Sequence, residues 1–375
     1  MSIYTTPLQF GYFLSLLLAL IFLWRAKKEE RLSDRFLAAL MLILALELQD
    51  YTFGFAGINF LWEELNGFPR GVALLYGPVL YFYLRSQTNR QFAFKAKHLW
   101  HFLPWACFFA FELAIFLSGP ATVARFQAGM YFEAYLLVQT LATWLSYAFY
   151  FTKSIRLYRA YRRYALEQFS DQAEVDLRWF KNFLALMIAW VVCRSLMQVL
   201  DYIFDWSFYQ EWWWNLFLVV AATYAGLHGL IQKQPPALAF QPRVQKAPPP
   251  DIALERHKGV VASLEKAMQQ ERYYLDPELN LKQLAKQTGL NPAELSAALN
   301  QSGQGNFNDF VNGWRCAHFI EAFKKGQGQK LTILALALDS GFNSKATFNR
   351  AFRKHTGCSP REYFANQKSA PQVAE

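Results

Sequence analysis

Leu336-Ala-Leu-Asp-Ser-Gly-Phe-Asn-Ser-Lys-Ala-Thr-Phe-Asn-Arg-Ala-Phe-Arg-Lys-His-Thr-Gly-Cys-Ser-Pro-Arg-Glu-Tyr363 decides how this 375-residue chain is read. A short apolar helix runs into Gly341, which permits the positive φ of a tight turn. A second helix follows. With Phe348 and Phe352 turned inward, Ala346, Thr347, Arg350, Arg353 and Lys354 face out. A helix, a glycine turn and a second helix with a cationic outer face form a helix-turn-helix pattern, the arrangement that lays a helix in the DNA major groove.

The same pattern occurs upstream. Leu281, Leu284 and Ala285 form one helix face, Gly289 makes the turn, and Leu295 and Leu299 pack back. Asn291 suits an N-cap and Pro292 a first helical position. Between the two units, Phe307 to Phe323 reads as a connecting helix, and Ile252 to Glu271 as an amphipathic helix ahead of both.

Residues from about Arg256 to Tyr363 resemble the DNA-binding domain of the AraC/XylS family of transcription regulators. The resemblance rests on Leu284, Ala285, Gly289, Leu290, Leu295 and Leu299 in the first unit, and on Phe307, Phe310, Asn312 and Arg315 in the connecting helix. In the second unit it rests on Ala337, Gly341, Phe342, Phe348, Phe352, Gly357, Ser359, Pro360 and Tyr363. It implies that the second helix of each unit enters the major groove, with Lys345, Ala346, Thr347 and Arg350 at the family's base-contacting positions. Arg350 suits a bidentate pair with guanine and Thr347 a thymine methyl or base edge. Arg353 and Lys354 suit phosphate. In the first unit the matching positions are Ala293, Ser296 and Ala297, and no Lys or Arg lies between Pro292 and Ser302. That helix is expected to give shape fit, with Asn300 or Gln301 on the backbone. Phe319 replaces a residue that is small in the family, a packing change.

The first two thirds of the chain have a different character. Hydrophobic residues make up 54% of the sequence and charged residues 18%, against roughly 25% charged in an average globular protein. Seven apolar stretches read as membrane spans: Leu8–Trp24, Phe36–Phe53, Gly67–Leu84, Leu99–Ser118, Met130–Thr152, Trp179–Leu200 and Glu211–Ile231. The loops after the first, third and fifth carry clusters of Lys and Arg, whereas the outer side holds only Arg70, at the start of the third stretch, and Arg125. This bias puts the basic loops in the cytoplasm, the N-terminus outside and the C-terminus inside. Leu8–Trp24 reads as a retained span, because its basic cluster follows it. Trp212, Trp213 and Trp214 suit an outer interface. Lys153 to Lys181 reads as a basic amphipathic extension of the fifth span, suited to anionic headgroups or to relaying a signal.

Glu47, Asp50, Glu112, Glu133, Arg194 and His228 lie inside apolar stretches, where charge is costly. Arg194 is expected to pair with Glu112 or Glu133. His98 and His101 have helical spacing but no carboxylate or cysteine nearby, so they make a poor metal pair. Cys107, Cys193, Cys316 and Cys358 are scattered, which implies neither a zinc site nor a disulfide framework. Two of them fall in apolar runs and read as small buried hydrophobes. No lysine suits a retinal Schiff base in the last span. There is no nucleophile–base spacing and no phosphate-binding glycine loop.

The sequence therefore predicts an all-α protein: a seven-helix transmembrane bundle over residues 1–231, a proline-rich linker over 232–250, a double helix-turn-helix domain over 251–368 and a disordered tail over 369–375. The expected function is that of a membrane-bound one-component transcription regulator, not an enzyme, with no cofactor or metal. Its candidate DNA contacts are Lys345, Thr347, Arg350, Arg353, Lys354, Ser296 and Asn300. Expected partners are promoter DNA, the lipid bilayer, a membrane or extracytoplasmic signal, a second copy of the chain and RNA polymerase. The expected location is the bacterial inner membrane. The rival reading is a receptor-like or transporter-like membrane protein whose C-terminal domain is a protein-interaction module. The charge of residues 251–375, 16 basic against 12 acidic, suggests salt-sensitive and fairly weak monomer binding.

Overall fold

The computed structural model describes residues 5–58, 64–171, 175–204, 212–234, 238, 240, 252–327 and 331–369. All named elements among them are helical. The chain forms two compact units. One comprises Met1–Arg159 and Leu177–Gln241, and the other Ala160–Asp176 and Pro242–Glu375.

The first unit contains α1 (Thr6–Lys28), α2 (Leu32–Phe55), α3 (Ala73–Thr88), a 3-10 turn (Ala96–Phe102), α4 (Leu103–Leu117) and α5 (Pro120–Gln127). It also holds most of α6 (Phe132–Gln168), then α7 (Arg178–Phe204) and α8 (Trp212–Ile231). Helices therefore occupy all seven expected places, but among the described residues four are long and apolar enough to cross a membrane: Thr6–Lys28, Leu32–Gly54, Ala96–Leu117 and Arg178–Met197. The other three fall short for different reasons. Pro69 and Gly71 delay the start of α3 to Ala73, leaving 16 residues, roughly 24 Å at 1.5 Å per residue. Gln139, Thr140, Thr143 and Ser146 dilute the apolar part of α6. In α8 the apolar helix covers only Asn215–Ile231.

Small residues let α1 and α8 pack closely. A Cβ on Gly226 would lie 2.3 Å from Leu18, and one on Gly11 would lie 2.5 Å from Val219. At one end, Arg25 donates to both oxygens of Asp34 (2.6 and 2.8 Å) and to the carbonyls of Gly229 and Leu230 (both 2.8 Å). A guanidinium there satisfies the last turn of α8 and complements its dipole. α3 is buried on every side, with Tyr76, Leu80, Phe82 and Leu84 inaccessible. α4, by contrast, has no buried residue. Its Leu103, Phe111 and Leu117 are exposed, as are Phe13, Leu20, Leu145 and Val192 on other helices. An apolar exterior of this extent is unusual for a monomer in water.

The charge pairing differs from the sequence expectation. Arg194 binds Glu47 rather than Glu112 or Glu133, and Arg70 binds Asp50 at 3.1 Å. Glu47 and Arg194 thus meet across α2 and α7. Cys107 and Cys193 are exposed rather than buried, because their apolar helices turn those faces outward. Of the proline-rich segment 232–250, only 232–234, 238 and 240 are described. These are tied down: Gln234 donates to the carbonyls of Ser86 (2.6 Å) and Gln87 (3.0 Å), and Phe240 N–H to that of Thr88 (3.2 Å). The tail beyond Ser369 lies outside the described residues.

The second unit contains α9 (Ile252–Glu271), α10 (Leu281–Thr288), α11 (Pro292–Gln301), α12 (Phe307–Ala322), α13 (Ile333–Asp339), α14 (Lys345–Thr356) and α15 (Pro360–Ser369), together with the end of α6. Two cores sit side by side. Val261, Leu264, Met268, Leu284, Leu295 and Leu299 build one, and Phe319, Leu336, Phe342, Phe348, Phe352 and Phe364 the other. α12 serves both, with Phe310 and Val311 in the first and Cys316 and Phe319 in the second. Phe319 is fully buried and meets the Phe348 ring at 4.6 Å, so the large residue fills the second core.

Candidate nucleic-acid interface

Local chemistry fixes both helix-turn-helix units. Asn280 and Gln283 form a capping box at the start of α10 (2.9 and 3.0 Å). Gly289 ends that helix at φ +70, and the Asn291 side chain accepts from Ala293 N–H (2.9 Å) to start α11. In the second unit Thr332 caps α13 and Ser344 caps α14, accepting from Ala335 and Thr347 N–H. Such caps contribute about 1 kcal/mol each.

Gly341 is required twice over. Its φ is +89, and a Cβ there would lie 2.4 Å from the Tyr274 carbonyl oxygen and 3.0 Å from Leu275 Cα, both backbone atoms. Left-handed strain and overpacking add, so Gly341→Ala is expected to cost about 3 kcal/mol, read as a lowered denaturation midpoint of the C-terminal unit.

α14 presents Lys345, Ala346, Asn349, Arg350, Arg353 and Lys354 to solvent. Arg350 and Arg353 share a face with Asn349. Sequence reasoning missed Asn349, although its place three residues after Ala346 and four before Arg353 marks it, and an amide there suits adenine. Lys354 pairs with Asp309 on α12 at 2.5 Å. In the first unit Ser296 is half-buried and Asn300 exposed, while the Gln301 Oε1 lies 2.7 Å from the His257 ring.

Thr347 departs from the outward orientation read from the helical wheel: it is 4% exposed. Its hydroxyl donates to the carboxylate of Asp171 at 3.1 Å. Asp171 ends a short stretch after α6 that inserts into the second unit. Phe169 bridges antiparallel to Asn280. Ser170, fully buried, donates its hydroxyl to the Leu279 carbonyl at 2.6 Å and accepts at its own carbonyl from Asn308 (2.7 Å) and Asn312 (3.3 Å).

Arg315 organises this junction from inside. It is fully buried, and it donates to the carbonyls of Tyr274 (2.8 Å) and Asp276 (2.7 Å), to Asn312 Oδ1 (3.3 Å) and to Ser170 Oγ (3.1 Å). Burial pushes its pKa down to about 10, opposed by Asp171 and Asp276, so it stays cationic at neutral pH. Burial likewise raises the Cys316 thiol to about 12, leaving it inert.

Residues 284–366 match the family model of a helix-turn-helix domain, of the AraC type. That is a DNA-binding regulator domain and not an enzymatic one. No curated protein and no solved structure matches the chain. The matched region takes in α11, α12 and α14. Among the described residues no group of three or more His, Cys, Asp or Glu could hold a metal. His98 instead accepts from Lys95 N–H (2.9 Å), and His101 lies 2.7 Å from the Tyr150 hydroxyl.

Within the helix-turn-helix domain, His318 lies 3.2 Å from Ser340 Oγ. Burial, and next Arg272, lower its pKa. The folded state therefore binds its proton less readily than the unfolded chain. The associated stability is full above the ordinary histidine value of about 6.5 and declines as pH falls below it. Hydrogen-exchange protection of α12 and α13 should weaken between pH 7.5 and 5.5, and His318→Gln should flatten that dependence.

Proposed function

We propose that the chain is a membrane-bound one-component transcription regulator. The helix-turn-helix match and the cationic exposed face of α14 carry the DNA-binding part. The apolar exterior of the first unit and its four long apolar helices support the membrane part. In this reading the seven helical stretches are spans, the N-terminus is outside and the C-terminal domain is cytoplasmic, in a bacterial inner membrane. The alternation of basic and cation-poor loops supports that orientation.

Lys345, Asn349 and Arg350 read bases from α14, and Arg353 and Lys354 hold phosphate. α11, which lacks Lys and Arg, contributes shape through Ser296 and Asn300. A second copy of the chain raises the effective concentration at the operator, and RNA polymerase is the partner that converts occupancy into transcription. The segment 169–171 couples the halves: a change in the bundle withdraws it and frees Thr347. Genome-wide occupancy of the full-length protein tests the reading. Arg350→Ala is expected to lower occupancy about tenfold, as for loss of a bidentate contact of about 1.5 kcal/mol.

The absence of cations from α11 favours a second reading, in which the domain binds protein. Unchanged occupancy and target expression in the Arg350→Ala protein would select it.

A further inference from the structure

The first unit contains an open-mouthed cavity of about 430 Å³ between α2, α4, α6, α7 and the stretch from Arg70 to Leu74. That volume lies within the range of small-ligand sites. Five charged side chains line it: Glu47, Asp50, Glu112, Arg70 and Arg194. Two carboxylates are matched, Glu47 by Arg194 and Asp50 by Arg70. Glu112 is held differently. It accepts from the Tyr135 hydroxyl and from Gln139 Nε2 (3.0 Å), both neutral donors, and no Lys or Arg among the described residues pairs with it. Among the described lining residues, acidic side chains therefore outnumber guanidiniums by three to two, a surplus of one.

Aromatic side chains form part of the remaining wall, among them Trp105, Phe108, Phe109, Trp144 and Tyr147, beside aliphatic residues and the polar Gln139, Thr140, Thr143 and Ser195. Aromatic faces beside one carboxylate suit a weakly hydrated organic cation. A hard metal ion would need several oxygen ligands, and an anion would meet the surplus charge.

We infer that this cavity binds a small organic ammonium ion, with its cationic head at Glu112 and its body against the neighbouring aromatic rings. This deepens the sensor reading by naming a ligand class. The test reads binding alone, so its failure is distinguishable from a failure of DNA recognition.

The experiment uses the full-length protein in lipid nanodiscs. The probe is phenethylammonium chloride, with sodium phenylacetate, which has a similar body and the opposite charge, as control at matched ionic strength. Saturable binding and a raised unfolding temperature are expected with the ammonium and not with the carboxylate. Glu112→Gln, which keeps the side-chain shape, should weaken binding at least tenfold. Glu133→Gln, which removes an exposed carboxylate outside the cavity, should leave it unaltered. No saturable ammonium binding, an equal response to both probes, or equal losses in the two variants would overturn the assignment.

Discussion

Arg315→Met is expected to unfold the C-terminal unit well before the rest of the chain. The substitution keeps most of the side chain's volume but removes every donor. The carbonyls of Tyr274 and Asp276, the Asn312 amide oxygen and the Ser170 hydroxyl all lose a partner inside a fully buried site. Hydrogen bonds from a charged donor contribute roughly 1.5–3 kcal/mol each, and they do not add fully. A net loss of about 4 kcal/mol follows, a large share of a domain's usual stability. Hydrogen exchange on the full-length protein gives the measurement. Protection in α10 to α14 should collapse while α1 and α2 keep theirs. Protection unchanged within about 1 kcal/mol would mean that the guanidinium does not hold the junction.

The second large effect concerns Asp171. Its carboxylate sits at the first turn of α14, where the unsatisfied N–H groups of a helix favour an anion and where a DNA phosphate would be attracted for the same reason. Asp171→Lys removes the bond to Thr347 and puts a cation in its place. If the inserted segment is favoured by about 2 kcal/mol in the resting protein, the DNA-competent fraction is held down about thirtyfold, and the substitution releases that restraint. Binding of nanodisc-held protein to duplex DNA should tighten by about that factor. Asp171→Asn, which retains an acceptor for Thr347 without the charge, should give a smaller gain. Equal affinity in all three proteins would rule out Asp171 as a brake.

Much of the C-terminal unit was legible because its signals are local. Gly289, Gly341, Asn291 and Pro292 specify turns and caps by their own conformational preferences. The helix expected over Ile252 to Glu271 occurs with those bounds. The connecting helix starts at Phe307 as expected and ends at Ala322, one residue early. Thr347 was misread because a helical wheel registers only the packing of its own helix, and the residue that covers it comes from another part of the chain. Ser170 and Asp171 have the composition of any polar loop. What distinguishes them is a set of backbone carbonyls and amides contributed by distant residues, which no spacing rule can bring together. The partner of Arg194 was hidden for a similar reason: several carboxylates lie at helical positions, and only the assembled bundle selects Glu47. The candidate spans were legible as apolar helices. Their lengths were harder to read, because composition alone does not show that α3 begins only at Ala73.

The order of synthesis gives the inserted segment a further meaning. Ser170 precedes Leu279 by 109 residues and Arg315 by 145, and Asp171 precedes Thr347 by 176. The insert therefore leaves the ribosome long before its socket exists. When α12 and α14 are translated, they fold around a segment that is already waiting. In the proposed topology, that segment follows a helix already lodged in the bilayer. If that segment restrains DNA binding as proposed, each new chain carries the restraint from the moment its C-terminal domain folds.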